Sequence, residues 1–181
     1  MANLADDDLV QMYREGDVDA FDTLFDRYHV PIYNFARTML GHSDGADDVL
    51  QDVFLAVARA AKTYDPRGRF RSWLFRLARN HCLNRLQSER LRRRVIAESG
   101  LDLADAPSGE PSPAEQVDSD ERLARLRQLI ADLPERQREA IALYAFEQMS
   151  YQEIADVLDI PLNTVRTLIH RARATLAQRF D

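Results

Sequence analysis

Apolar residues recur every three or four positions along most of this chain of 181 residues, which is the spacing that an amphipathic α-helix places on one face. Before residue 98 the pattern predicts four helices, near 7–15, 17–40 and 45–61 and from Phe70 into the nineties. Glycines end the first two helices, and Pro31 is expected to bend the second. The third helix has a regular stripe, made of Leu50, Val53, Phe54 and Val57.

Beyond residue 121 the same spacing predicts further helices. An apolar stripe over 123–133 is followed by Pro134, a residue that suits the first turn of the next helix. Ser150 and Glu153 have the spacing of a capping box, in which hydroxyl and carboxylate satisfy reciprocal backbone donors at a helix start. After a turn at 159–161, a last helix carries its apolar face on Val165, Leu168, Ile169, Ala172 and Leu176.

The stretch 99–119 interrupts this pattern. It contains three prolines, two glycines, several acidic residues and no basic residue, which is the composition of a flexible or extended linker. Few glycines and few β-branched runs elsewhere argue against a sheet. The sequence therefore predicts an all-α fold, with two small helical domains at 1–98 and 122–181 joined by an acidic linker at 99–121.

The formal net charge of −6 conceals a strong segregation of charge. Residues 1–66 carry 5 basic and 13 acidic side chains, whereas residues 67–94 carry 10 basic and 1 acidic. The linker region 95–121 has no basic and 8 acidic side chains, and 122–181 has 9 and 8. Such blocks indicate surfaces for partners of different charge.

Composition also excludes several classes of protein. The single cysteine, Cys82, rules out a disulfide framework and a zinc site built on two thiolates. No apolar run approaches the roughly 18 residues of a membrane span, and the acidic start is unlike a secretion signal, so a cytoplasmic protein is expected. The four histidines are scattered, without metal-ligand spacing; we expect His81 to be packed or fixed in one tautomer rather than to be a ligand, and Cys82 to be a small buried apolar residue. No nucleophile elbow or phosphate loop is present, so no catalytic residue, metal or cofactor is expected.

The end of the chain has the pattern of a helix–turn–helix. A short capped helix, a three-residue turn and an amphipathic helix have the geometry that lays the second helix in a major groove. Residues 160–180 contain four arginines and no acidic residue, and arginine binds both phosphates and guanine edges. The alternative is a helical hairpin whose basic face is merely solvated.

The basic helix, Arg67 to Arg94, carries polar and aromatic residues on its non-core face. Trp73, Arg76, Asn80 and Asn84 fall within a sector of about 80°. Arginines neutralise phosphates, an aromatic ring stacks on an exposed base, and amides bind base edges. Together these groups suit binding of single-stranded nucleic acid. The alternative is that Trp73 borders the core and the arginines are solvated.

The third helix has an acidic face opposite its apolar stripe, made of Asp48, Gln51, Asp52 and an exposed Leu55. DNA would be repelled by these carboxylates, so a protein partner with a basic groove fits this face better. The alternative is a solvated acidic face with one stray leucine.

Three motifs, in this order, resemble those of bacterial sigma factors. The segment from Asp47 to Leu55 resembles their core-polymerase-binding helix, and the segment from Phe70 to Asn80 resembles their segment for promoter melting and minus-ten recognition. Parts of 133–173 resemble their minus-thirty-five domain. Because no domain intervenes, the chain resembles the smallest group, the extracytoplasmic-function (ECF) sigma factors.

The resemblance implies a non-catalytic specificity subunit with region 2 at 1–98 and region 4 at 122–181. Its partners would be core RNA polymerase, promoter DNA as duplex and as non-template single strand, and an anti-sigma factor, without membrane insertion. The linker would thread toward the polymerase active centre. The implied sites are Asp48, Gln51, Asp52 and Leu55 for polymerase; Arg69, Phe70, Trp73, Arg76, Asn80 and Asn84 for the minus-ten element; and Thr164, Arg166, Thr167, His170 and Arg171 for the minus-thirty-five element.

Some features depart from the family pattern, and other functions fit part of the sequence. Leu168 stands where arginine is frequent and is expected to be a packing residue, and the chain ends at Asp181, so no further C-terminal domain is expected. A stand-alone helix–turn–helix regulator binding duplex DNA as a dimer, or a helical adaptor for an acidic protein, are the alternatives. We also hypothesise that the acidic linker shields the basic helix in the free protein.

Overall fold

The computed structural model describes residues 4–41, 45–65, 67–99 and 121–180, and the regular structure within these ranges is entirely α-helical. The all-α prediction is confirmed, and the helices begin and end within about two residues of the predicted positions. Residues 100–120, which make up nearly all of the acidic linker, lie outside the described residues. The helices are α1 (Asp6–Arg14), α2 (Val18–Leu40), α3 (Ala46–Ala60), α4 (Phe70–Ser99), α5 (Glu121–Ala131), α6 (Glu135–Ala145), α7 (Tyr151–Leu158) and α8 (Leu162–Phe180).

Short polar residues and glycine determine where several helices begin and end. The Asp17 carboxylate accepts a hydrogen bond from the backbone N–H of Asp19 at the start of α2, and Gly41 ends that helix with a φ of 80°. Between these ends α2 continues through Pro31 as one helix. The predicted capping box of Ser150 and Glu153 is confirmed at the start of α7, with both reciprocal bonds formed.

The first four helices pack around one apolar core, in which α2 is central and contacts α1, α3 and α4. Phe35 of α2 meets Phe75 of α4 edge to face, with ring centroids 5.5 Å apart. Cys82 is fully buried, and this burial raises the pKa of its thiol to about 12, so it behaves as a small apolar residue. Three residues of the stripe predicted on α3, Val53, Phe54 and Val57, are buried in this core, and Leu50 is partly buried against it.

Helices α6, α7 and α8 form a second compact unit. Its centre contains fully buried side chains from each helix, including Leu143, Ile154 and Val165. Asp159 ends α7 in the left-handed region with a φ of 53°, which turns the chain into α8. This is the helix–turn–helix geometry that the sequence predicts.

The two units pack against each other, which the sequence alone did not indicate. Helices α5 and α6 contact α2, and α7 lies against α4. One Arg138 guanidinium nitrogen donates to the carbonyl oxygen of Met39 at 2.7 Å, which ties α6 to the end of α2. We call this packing of the second unit on α2 and α4 the closed arrangement. Among the described residues no helix is both long enough and apolar enough to cross a membrane.

Candidate nucleic-acid and protein interfaces

The outward side of α3 presents the acidic face that the periodicity predicts. Asp48, Gln51, Asp52 and Leu55 are all exposed, and the leucine side chain is 45% exposed. The Asp48 carboxylate accepts a hydrogen bond at 2.9 Å from Arg85 of α4. His81 is half-buried, and its Nδ1 lies 3.9 Å from the Asp52 carboxylate.

An apolar groove of about 390 Å³ adjoins this acidic face. Phe21 and Phe25 of α2 form one wall, and Phe54 and Leu55 of α3 form the other. Phe25 is 37% exposed, and its ring packs edge to face on Phe54 at a centroid distance of 4.8 Å. Sequence reasoning missed the two α2 residues, although their spacing of four positions was a usable signal. The groove can accept an apolar side chain from a partner, beside carboxylates that attract basic residues.

A polar cleft of about 840 Å³ lies between the start of α4 and the helix–turn–helix. Tyr64, Trp73 and Arg76 line it from the first unit, and Gln152 and Asp156 line it from the second. Trp73 is half-buried, with its ring 4.8 Å from that of Tyr64, so it both borders the core and faces the cleft. Trp73 thus has the core contact of one interpretation and the accessible ring face that the other interpretation requires.

The other predicted minus-ten residues are distributed unevenly. Arg69 is exposed, with a guanidinium nitrogen 3.8 Å from the Asp156 carboxylate, and Asn80 and Asn84 are exposed further along α4. Phe70, which the resemblance assigned to the minus-ten element, is only 2% exposed in the closed arrangement. Its ring packs on Tyr64 and Trp73 at 5.7 and 5.6 Å, so it supports the cleft wall from behind.

In the closed arrangement several arginines of the basic helix are bonded to the second unit. Arg71 donates to the carbonyl oxygen of Glu147, and Arg76 donates to that of Asp156. Arg79 forms an ion pair with Glu139 at 2.9 Å. Arg76 is the member of this group that the sequence assigned to DNA, and in the closed arrangement its guanidinium is bonded to the second unit instead.

Two carboxyl groups at this contact are buried. Glu139 is fully buried, and desolvation raises its pKa while the neighbouring Arg79 and Arg136 oppose that rise. Glu147 is 8% exposed, and its burial raises the pKa to about 7, again against the pull of Arg71. The contact between the units therefore contains a carboxyl group that titrates near neutral pH.

The outer face of α8 carries all five residues that were predicted for the minus-thirty-five element. Thr164, Arg166, Thr167, His170 and Arg171 are exposed on this helix. The Arg166 guanidinium lies at the surface and donates a hydrogen bond to the side-chain oxygen of Asn163 at 3.2 Å. Leu168 is half-buried and packs against the core, as expected of a packing residue.

Comparison with known proteins identifies both units. The family model for Sigma-70 region 2 matches residues 24–92, and the model for Sigma-70, region 4 matches residues 123–176. The chain is 30% identical to the ECF RNA polymerase sigma factor SigW of Bacillus subtilis over 175 residues, covering 94% of each chain. It is 33% identical to the RNA polymerase sigma factor CnrH of Cupriavidus metallidurans over 181 residues, covering 98% of this chain and 95% of that protein.

A solved structure agrees with these matches. The structure of CnrH in complex with the cytosolic domain of CnrY superposes with a TM-score of 0.74 at 29% identity, covering 98% of each chain. The structure of the sigma factor RpoE with the anti-sigma factor NepR from Bartonella quintana, at 22% identity and a TM-score of 0.69, shares the fold. The chain therefore belongs to the ECF RNA polymerase sigma factors, which direct promoter-specific initiation of transcription.

Proposed function

We propose that this sigma factor performs its task through three separate surfaces. The acidic face of α3 and the adjoining apolar groove bind core polymerase. The first unit's side of the cleft and the exposed side of α4 bind the single strand of the minus-ten element, and the outer face of α8 binds the minus-thirty-five element. Residues 1–98 and 122–181 act as the two binding domains, and neither supplies a catalytic group to RNA synthesis.

The chemistry of the first surface suits a helical protein partner. Carboxylates of Asp48 and Asp52 provide charge complementarity to a basic segment, which speeds and orients association. The exposed Leu55 and Phe25 provide apolar area at the centre, where binding energy concentrates. DNA would be repelled by this face, so a basic region of the polymerase large subunit is the partner that fits.

The observation that carries the DNA assignment is the side of the cleft that the first unit forms. It combines the ring of Trp73 with the guanidinium groups of Arg69 and Arg76, and Asn80 is exposed on the same helix. A base that leaves the stack loses a few kcal/mol of stacking and pairing, so a pocket that receives it also selects where melting begins. Stacking on an aromatic ring and neutralisation of phosphates are the contributions this cleft can make.

The closed arrangement is incompatible with full access of DNA to this cleft. Arg76 would have to release the Asp156 carbonyl oxygen, and α7 would have to move away from α4. We infer that binding to polymerase separates the two units, since the minus-ten and minus-thirty-five elements lie apart on a promoter. The acidic linker gives the chain the length to do this, and its shielding of the basic helix stays a hypothesis.

Partners and location follow from the family. The neighbouring sigma factor structures are complexes with CnrY and with the anti-sigma factor NepR, and we infer that an anti-sigma factor also binds this chain. Such a partner would hold the sigma factor away from polymerase. The protein acts in the cytoplasm, where polymerase and the chromosome are found.

Run-off transcription tests the proposal directly. Core polymerase is incubated with a library of randomised promoters, with and without this protein, and the transcripts are sequenced. Initiation that depends on the protein, at sites sharing two spaced elements, is expected. Asp52→Arg should abolish it through loss of polymerase binding, whereas Asn80→Ala should leave polymerase binding intact and reduce opening.

The same assay separates the alternatives. A stand-alone regulator would bind duplex DNA but would not support initiation by core polymerase. A helical adaptor would neither bind duplex DNA nor support initiation. A DNA-binding protein, in contrast, loses affinity with a log–log salt slope of about −0.9 for each phosphate that it contacts. Either result would contradict the proposed function.

A further inference from the structure

The first helix is connected by hydrogen bonds to the loop that joins α3 to α4. One carboxylate oxygen of Asp7 accepts a hydrogen bond at 2.8 Å from the hydroxyl of Tyr64, and the other accepts one from the backbone N–H of Gly68. At the other end of α1, Arg14 donates to the carbonyl oxygens of Lys62 and Tyr64 at 3.3 and 3.5 Å. This short helix therefore bonds to the loop at both of its ends.

The bonds to Asp7 fix the part of the loop that forms the cleft. Gly68 has a φ of 69°, a conformation that glycine adopts readily, and its N–H is oriented by the carboxylate. Tyr64 is 8% exposed, and its ring contacts the rings of both Phe70 and Trp73. Burial and the nearby Asp7 raise the pKa of Tyr64, so the hydroxyl keeps the proton that it donates. The Asp7 carboxylate is therefore one of the groups that hold the aromatic wall in position, and it is the one that bonds to both Tyr64 and Gly68.

We propose that Asp7 is a positioning residue for capture of the minus-ten base. This inference rests on the proposed function of the cleft. A loop that is already ordered before DNA arrives loses less conformational entropy on binding than a loop that must be ordered then. Asp7 lies behind the cleft wall and does not line the cleft, so it acts through Tyr64 and Gly68.

The first turn of α1 offers a matched control. Asp8 is exposed and stands next to Asp7 in the same turn. Asp7→Asn and Asp8→Asn remove the same charge from the same helix end, so both lose the same favourable interaction with the helix dipole. A difference in oligonucleotide affinity between the two variants therefore measures the effect of the hydrogen bonds from Asp7 to the loop.

The experiment uses holoenzyme assembled from core polymerase and each variant. The probe is a fluorescent single-stranded oligonucleotide carrying a minus-ten sequence that wild-type holoenzyme has selected from a randomised pool. Asp7→Asn is expected to weaken oligonucleotide affinity about tenfold and to reduce discrimination against single-base changes. Affinity for core polymerase should be unchanged, and Asp8→Asn should match wild type in both measurements.

Tyr64→Phe supplies a second variant, since it removes the hydroxyl and keeps the ring. Tyr64→Phe should lose part of the oligonucleotide affinity that Asp7→Asn loses. This measurement tests the inference even where Asp7→Asn folds poorly. Equal oligonucleotide affinity in Asp7→Asn and Asp8→Asn, or a loss of polymerase affinity in proportion to the loss of DNA affinity, would overturn the inference. Failure of the proposed function is distinguishable, because then Asn80→Ala would also leave oligonucleotide binding unchanged.

Discussion

The carboxylate of Glu139 on α6 lies 2.9 Å from Nε of Arg79 on α4, and this ion pair joins the two helical units within the protein interior. Glu139 is fully buried, and the side chain of Arg79 is 13% exposed. A buried pair of this kind adds little stability over an apolar contact, but loss of one partner leaves the other charge without compensation. The closed arrangement therefore depends on both residues being present and charged.

Glu139→Gln is predicted to open the closed arrangement. Arg79 would lose its charged partner, and breaking a buried pair costs about 3 to 5 kcal/mol. The free protein should then show a larger radius of gyration by small-angle X-ray scattering and tighter binding of single-stranded DNA than wild type. Glu135→Gln is the control, because Glu135 pairs at 3.3 Å with Arg90, which is 69% exposed, and exposed pairs contribute about 0 to 1 kcal/mol. An unchanged radius and DNA affinity in Glu139→Gln would contradict the prediction.

The apolar groove is predicted to contribute to polymerase binding as much as the acidic face does. Leu55→Ala and Phe25→Ala each remove exposed apolar area from the groove and should weaken affinity for core polymerase about five- to thirtyfold. Leu91→Ala is a suitable control, since Leu91 is 62% exposed on α4 and lies outside the groove. Affinity can be measured by fluorescence anisotropy with labelled sigma factor. Equal affinities for the groove variants and the control would exclude the groove from the interface.

The outer face of α8 is predicted to combine base recognition with phosphate contacts. Holoenzyme carrying His170→Ala should lose discrimination among minus-thirty-five sequences, by about 1 to 3 kcal/mol if this side chain reaches a base edge. Arg171→Ala should instead weaken binding to all sequences and reduce the salt slope by about one phosphate contact. Filter binding at several salt concentrations checks both. Arg179→Ala, near the far end of the helix, is the reference for loss of a positive charge alone.

Stability is predicted to fall as pH rises through the titration of Glu147. Its folded pKa of about 7 is above the ordinary value of 4.5, so between these values the folded chain holds a proton that the unfolded chain has lost. The associated stability is present below pH 4.5 and is lost by about pH 7, with a magnitude of about 3 kcal/mol. Urea unfolding at pH 5.5 and pH 8 should show this loss in wild type.

The variant Glu147→Gln isolates that contribution. It cannot ionise, so its unfolding free energy should exceed that of wild type at pH 8 and should approach it at pH 5.5. Glu135→Gln serves again as the comparison, because Glu135 is far more exposed. An equal pH dependence in wild type and Glu147→Gln would show that the buried carboxyl does not titrate in this range.

Much of the local structure could be predicted because local chemistry determines it. The stripe of Val53 and Val57 specifies the buried face of α3, and from that the opposite exposure of Asp52 and Leu55 follows by geometry. Ser150 and Glu153 begin α7 through bonds between neighbours in sequence. Phe70 was assigned to DNA by the resemblance alone; in the closed arrangement its ring is buried and packs on that of Tyr28, which is distant in sequence.

The sequence by itself thus determined the helices, the faces of α3 and α8, and the family, because periodicity, caps and motifs act over a few residues. Only the tertiary structure decided which distant groups meet. The bonds from Asp7 to Tyr64 and Gly68 span about sixty positions of sequence, and the pair of Arg79 and Glu139 spans the linker. The partners in such contacts are chosen by the packing of whole helices, which fixes distance and burial together, and no pattern along the chain records that choice.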